Sequence, residues 1–272
     1  YLKLSDWRVK ENSTVTYSVG GLILSNSGAI TANYWLSEIY DEEIANAHRN
    51  CDFHIHDLSM LTGYCAGWSL KQLIQEGLGG IPGKITSKPA KHLASLCNQM
   101  VNFLGIMQNE WAGAQAFSSF DTYLAPFVKV DNLPYDQVKK CIESFIYGVN
   151  TPSRWGTQAP FSNITLDWTV PNDLAELNAI VGGKEMDFRY KDCLEEMDMI
   201  NKAFIEVMIE GDANGRGFQY PIPTYSITKD FDWSETENNK LLFEMTAKFG
   251  TPYFSNYINS DMEPSDVRSM CC

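Results

Sequence analysis

The segment Gln158-Ala159-Pro160-Phe161-Ser162-Asn163-Ile164-Thr165-Leu166-Asp167-Trp168-Thr169-Val170-Pro171 sets an apolar, β-branched run between two prolines, the pattern of a buried strand. Downstream, residues 192–210 read as a long helix rich in Met and Glu, 218–227 as a second strand and 235–249 as another helix. Strands alternating with helices predict an α/β architecture closed into a barrel. Upstream, Lys88-Pro89 starts a helical pattern (Leu93, Leu96, Cys97, Met100, Phe103, Leu104, Met107) that continues through Trp111 towards Phe117 and Phe120. Helices are also expected over 32–47, 70–75 and 135–147, a β-rich stretch within 13–30, and a short strand over 51–57.

The chain has 272 residues, enough for one large core or two modest ones, and 44% of them are apolar. Lys and Arg number 21 against 34 Asp and Glu, a formal net charge of −13 that repels phosphate backbones and anionic lipid. Neither nucleic acid nor membrane is therefore expected as a partner. No run approaches the ~18–20 apolar residues that span a bilayer, and no basic segment followed by an apolar one opens the chain, so a cytoplasmic location is expected. The seven cysteines, Cys51, Cys65, Cys97, Cys141, Cys193, Cys271 and Cys272, are odd in number and scattered, which argues for a reducing compartment over a disulfide framework. A start on Tyr1 and an end on Cys271-Cys272 read as a piece of a longer protein.

Three groups of residues could carry chemistry. His54-Ile55-His56-Asp57, if extended, sets both imidazoles on one strand face, as a metal-ligand pair, a hydrogen-bonded structural pair or a substrate contact. Cys65 lies between Gly63 and Gly67, where backbone or ligand can approach closely, and reads equally as a small core residue. Cys271 and Cys272 follow Met270 and could be a reactive thiol, a partner in a distant disulfide or an inert pair. Cys97, Cys141 and Cys193 fall at helical core positions and are expected to be buried filler. Lys88 and Lys91, near a helix start, could meet phosphate or simply be solvated.

Taken together, Asp52–Asp57 with Gly63-Tyr64-Cys65, the run from Asn150 to Asn163, Gly217-Phe218-Gln219-Tyr220-Pro221-Ile222-Pro223-Thr224, and Ser265-Asp266-Val267-Arg268-Ser269-Met270-Cys271-Cys272 resemble the anaerobic, class III ribonucleoside triphosphate reductases. The resemblance covers essentially the whole chain in order. It implies a ten-stranded α/β barrel of the ribonucleotide reductase and pyruvate formate-lyase type, of which residues 1–272 supply about the first half. Helices at about 89–147 correspond to the family's dimer bundle, where deoxynucleotide or ATP effectors bind. The implied activity is reduction of ribonucleoside triphosphates to deoxyribonucleotides by a thiyl radical, itself raised from a glycyl radical.

Carried over residue by residue, the resemblance makes Cys272 the thiyl residue, Met270 its neighbour in the site and Cys65 the reductant cysteine near the first barrel strand. Cys271 stands where many members have glycine, and its exchange partner is open between Cys65 and the external reductant. His56, Asp57, Gln158 and Ser162 are candidates for ribose or phosphate contact, and Lys88 and Lys91 for effector phosphate. The glycyl radical segment and the family's Cys-x-x-Cys zinc site are expected in further sequence, so no metal site is expected within residues 1–272. The implied partners are a radical S-adenosylmethionine activase carrying an iron–sulfur cluster, a thioredoxin-like reductant or formate, and a second copy of the chain. The rival expectations are a glycyl radical lyase on the same barrel and a metal-dependent hydrolase built on His54 and His56.

Overall fold

The computed structural model describes residues 18–79, 82, 83, 85–153 and 158–266. Met270, Cys271 and Cys272 lie outside the described residues, as does the part of the β-rich expectation before Ser18. The chain divides into two compact units, one of residues 1–66, 105–115 and 151–161, the other of 67–104, 116–150 and 162–272.

In the first unit, α1 (Val19–Tyr34) passes through a π turn (Trp35–Ile39) before α2 (Glu42–Arg49). The β-rich expectation within 13–30 is overturned from Val19 onward. Ser18 is an N-cap, its hydroxyl accepting from Gly21 N at 3.0 Å, and the helix runs straight through Gly20-Gly21. Residues 52–57 are also not a strand: they form an irregular loop in which Ile55 N donates to His48 Nδ1 at 3.0 Å, so the period-two argument for His54 and His56 does not apply.

The second unit is organised by a five-stranded sheet in the order β1 (Ala66–Trp68), β2 (Gln115–Phe117), β3 (Ser162–Leu166), β6 (Ile222–Ile227) and β7 (Tyr253–Asn256). β3 pairs parallel with β6, Asn163 opposite Ile222 and Leu166 opposite Tyr225, and β6 pairs parallel with β7, Thr224 opposite Tyr253. Parallel strands are covered on both faces, which is why Ser162, Asn163, Ile164 and Leu166 are all buried and Thr165 between them is half-buried. A separate hairpin, β4 (Asn178–Val181) and β5 (Lys184–Arg189), turns on Gly182 and Gly183, both at positive φ (62° and 75°), as a two-residue primed turn requires.

The expected helix from 89 to 120 is two helices with a strand between them. α4 (Leu93–Met107) stops where Asn109 and Glu110 close tighter turns on Ile106 and Met107, β2 follows, and α5 (Phe120–Asp131) starts afresh. α5 is buried on all sides from Phe120 to Val128, the polar Asp121 and Thr122 included. α6 (Tyr135–Val149) buries Val138, Ile142, Phe145, Ile146 and Val149 at helical spacing, and a single-turn α7 (Asn172–Ala175) follows β3. Both α5 and α6 pack on α8 (Leu194–Glu210), which packs in turn on α9 (Glu237–Phe249). Phe120 sits at the centre, 5.2 Å from the Phe145 ring and 6.4 Å from that of Phe204. The helices expected over 70–75, 192–210 and 235–249 are all present, the first as α3 (Leu70–Glu76).

Candidate active site

Cys65 immediately precedes β1. Its neighbours form a ladder in which Ala112 N donates to Gly63 O, Gly113 N to Tyr64 O and Ala66 N to Ala114 O, at 3.0, 2.6 and 3.0 Å. The pairing advances in the same direction along both segments, so they run parallel. Ala114 N donates to Cys65 Sγ at 3.2 Å, which fixes the sulfur as an acceptor at the amino end of the strand. Glycine is needed on both sides of this ladder: a Cβ at Gly63 would run into the Trp111 ring, and one at Gly113 into the Tyr64 ring and carbonyl. Cys65 is partly exposed, so its thiol is held in place without being sealed in.

The two histidines of the His-x-His motif part company. His54 packs on His48, ring centroids 5.3 Å apart, and burial, then the charges of His54 and Arg49, hold His48 below the ordinary histidine range. His56 meets the Tyr64 ring edge-on at 4.8 Å, and its Nδ1 lies 2.6 Å from Asp57 Oδ2. His56 and Asp57 are thus placed beside Tyr64, the residue before Cys65. Among the described residues no group of three or more His, Cys, Asp or Glu side chains is placed to hold a metal ion.

The other candidates scatter. Gln158 is buried, its backbone carbonyl accepting from Ser153 N at 3.0 Å. Ser162, on β3, is fully buried. Lys88 and Lys91 are exposed and precede α4, with the stem of Lys91 lying beside the Gly182 turn. Burial raises the thiols of Cys97, Cys141 and Cys193, the last to about 12; Cys97 and Cys193 are buried as expected, whereas Cys141 is only half-buried on α6.

Two polar anchors escaped the sequence reading. Asn150 bridges the motif beginning Asn150-Thr151-Pro152 and the one containing Gln219-Tyr220-Pro221. Its Nδ2 donates to Ile146 O and Tyr220 O at 2.7 and 2.6 Å, and its Oδ1 accepts from Gln219 N and Tyr220 N at 3.2 and 3.1 Å. Asp121, fully buried at the start of α5, accepts from Thr122 N, Asp167 N, Trp168 N and Asn201 Nδ2 at 2.8–3.0 Å. Burial pushes its carboxyl above the ordinary value, with those four donors pulling the other way. No residue spacing marks either anchor, although Asp121 does occupy the first turn of its helix, where acids are favoured.

A cavity of about 210 Å³ opens at the carboxyl ends of β3, β6 and β7, where ligands of parallel sheets bind. Asp167, Thr169, Ser226 and Thr228 line it from the strand ends, and Tyr257 and Ser265 from the chain that follows β7.

A model of the family described as anaerobic ribonucleoside-triphosphate reductase matches residues 11–272. Among solved structures, the chain is similar to the anaerobic ribonucleotide reductase from Thermotoga maritima with citrate in the active site, at 23% identity and TM-score 0.68 over 90% of this chain and 46% of that one. It is similar to the same enzyme in complex with dATP and CTP (20% identity, TM-score 0.67, 90% and 43% covered) and with dATP in the specificity site (22%, 0.66, 90% and 44%). The chain spans less than half the length of these structures. A search of curated proteins gave no match. Among the described residues no helix is long and apolar enough to cross a membrane. With its family model matched over almost the full length and its parallel sheet shared with these structures, the chain belongs to the anaerobic ribonucleoside-triphosphate reductase family.

Proposed function

We propose that this chain forms the thiol-bearing half of an anaerobic reductase that converts ribonucleoside triphosphates to 2′-deoxyribonucleoside triphosphates. The observation that carries the reading is the family match over residues 11–272, joined to a partly exposed Cys65 fixed at the head of a parallel strand. In this reading the five-stranded sheet is half of a ten-stranded barrel, and the helices between residues 89 and 147 form the dimer and effector face.

A glycyl radical, raised outside these residues by an S-adenosylmethionine and iron–sulfur activase, supplies the oxidising equivalent. Cys272 then carries the thiyl that takes the 3′ hydrogen of the ribose, forming S–H as C3′–H breaks. The 2′-hydroxyl leaves as water. Overall the substrate gains two electrons and two protons, which come through Cys65 from a thioredoxin-like protein or from formate. The S–H and ribose C–H bonds are close in strength, so the protein's contribution is placement of sulfur against carbon. Cys65, oriented by Ala114 N, suits the second thiol, and His56 and Asp57 beside Tyr64 are polar groups for the substrate hydroxyls. Gln158, Ser162 and Met270 complete the proposed substrate set, with Cys271 a further thiol, and Lys88 and Lys91 the effector contacts.

The test uses the full-length protein, activated anaerobically, with deoxynucleotide product and glycyl radical both counted. Product in proportion to radical is the expected result, and Cys272→Ala should abolish product while leaving the radical intact. Radical without product would overturn the reductase reading in favour of a lyase.

A further inference from the structure

The buried carboxylate of Asp121 faces the strand ends, not the α5 helix alone. One oxygen, Oδ1, accepts from Asp167 N at 2.8 Å and the other from Trp168 N at 2.9 Å. These amides belong to the turn leaving β3, where Trp168 adopts φ 63°, a left-handed conformation that a tryptophan holds only when its surroundings enforce it. The same turn is gripped a second time, since Thr122 Oγ1 donates to Asp167 Oδ2 at 2.6 Å. From there the contacts continue outward. Thr169 Oγ1 lies 3.3 Å from Thr228 Oγ1 at the end of β6, Trp168 stacks on Phe231 at 5.6 Å, and Ile227 O accepts from Tyr257 N at 2.9 Å. Tyr257 begins the stretch that walls the cavity as far as Ser265, shortly before Cys271 and Cys272 in sequence.

We propose that Asp121 is a positioning residue: by fixing the Asp167–Thr169 turn it knits the carboxyl ends of β3, β6 and β7 and sets the course of residues 257–265 along the cavity. The two amides that leave β3 need acceptors, and Asp121 supplies one carboxylate oxygen to each, so the turn's conformation depends on this side chain. Its importance for turnover rests on the reductase reading, whereas its control of the 257–265 stretch does not.

The experiment compares full-length wild type with Asp121→Asn, Thr122→Val and Asn201→Ala. Asp121→Asn sets an NH₂ against N–H donors. Thr122→Val removes only the second grip, and covers the case in which Asp121→Asn does not fold. Asn201→Ala removes a donor to the same carboxylate without touching the turn. Hydrogen exchange of amides 257–265 should quicken at least tenfold in Asp121→Asn and about threefold in Thr122→Val, and stay within twofold of wild type in Asn201→Ala. In the activated enzyme kcat should fall in the same order while KM for the ribonucleoside triphosphate stays within twofold. Unchanged exchange at 257–265 in Asp121→Asn and Thr122→Val, or equal effects from Asn201→Ala, would overturn the proposal. A wild-type enzyme that makes no deoxynucleotide would sink the reductase reading and leave the exchange comparison to judge Asp121.

Discussion

Replacing Asn150 with Ala should cost far more than a half-buried polar residue at a helix end ordinarily would. Four hydrogen bonds disappear together, and three of the released groups, Gln219 N, Tyr220 N and Tyr220 O, belong to the approach to β6. Tyr220 is only 3% exposed, so water cannot readily replace the amide at its N–H and C=O. Each buried group left without a partner costs about 1–3 kcal/mol, and two such groups at the low-to-middle part of that range give about 3 kcal/mol. For a chain of this size an m-value near the top of the ~1–3 kcal/mol/M range converts this into a midpoint about 1 M lower in urea. The assay is equilibrium urea unfolding followed by tryptophan fluorescence and by circular dichroism, with Asn214→Ala, on an exposed turn, as the control expected to stay at the wild-type midpoint. A shift for Asn150→Ala under about 0.2 M at unchanged m-value would refute the claim that this amide joins the two motifs.

Two other outcomes are expected. Cys65→Ser should block multiple turnover in the activated full-length enzyme yet still permit release of tritium from 3′-labelled substrate; steady-state rates equal to wild type would show that Cys65 is not the reductant. Glu206, between Lys139 Nζ and Tyr135 OH at 2.8 Å each, is raised by its burial, but the hydrogen bonds and charge of its partners outweigh this and bring it below the ordinary 4.5. Its folded value being depressed, its stabilisation is present above the unfolded carboxyl pKa and fades as pH falls through the lowered one. Glu206→Gln should therefore be about 1 kcal/mol less stable than wild type at pH 7 and converge on it in acid; a gap independent of pH between 7 and 3 would contradict the pairing.

Elements with strong periodicity were legible in the sequence: β3 from its β-branched apolar run, and α6, α8 and α9 from their apolar faces. β1 and β2 were not, because Ala66-Gly67-Trp68 and Gln115-Ala116-Phe117 are three-residue strands that exist by pairing with neighbours and not by their own propensity. The α4 pattern overran because Trp111 and Phe117 continue its apolar character after its hydrogen bonds have ended at Met107. The β4–β5 hairpin did leave a signal, Gly182-Gly183 between apolar and alternating segments, that went unread. At the site, Gly63 before Cys65 was informative, because close approach of the Trp111 ring is what it permits. His54 and His56 misled, since a period-two reading presumes a strand that the loop at 52–57 does not form. Asp121 and Asn150 were invisible for a different reason: a buried polar anchor is defined by partners 46 to 80 residues away, and nothing local distinguishes it from a surface acid or amide.

The two buried cysteines among those described, Cys97 and Cys193, have a consequence for redox selectivity. A thiol whose pKa is about 12, as for Cys193, is ionised to roughly one part in 10⁵ at neutral pH, and thiol–disulfide exchange proceeds through the ionised form. Cys97 is fully shielded and still harder to ionise. An enzyme fed by a dithiol reductant would lose equivalents to every accessible spare thiol. By keeping Cys97 and Cys193 protonated within its helical core, this fold makes them poor partners for exchange, so that in the proposed reductase the accessible thiols among the five described cysteines would be Cys65, Cys51 and the half-buried Cys141, whose thiol burial also raises.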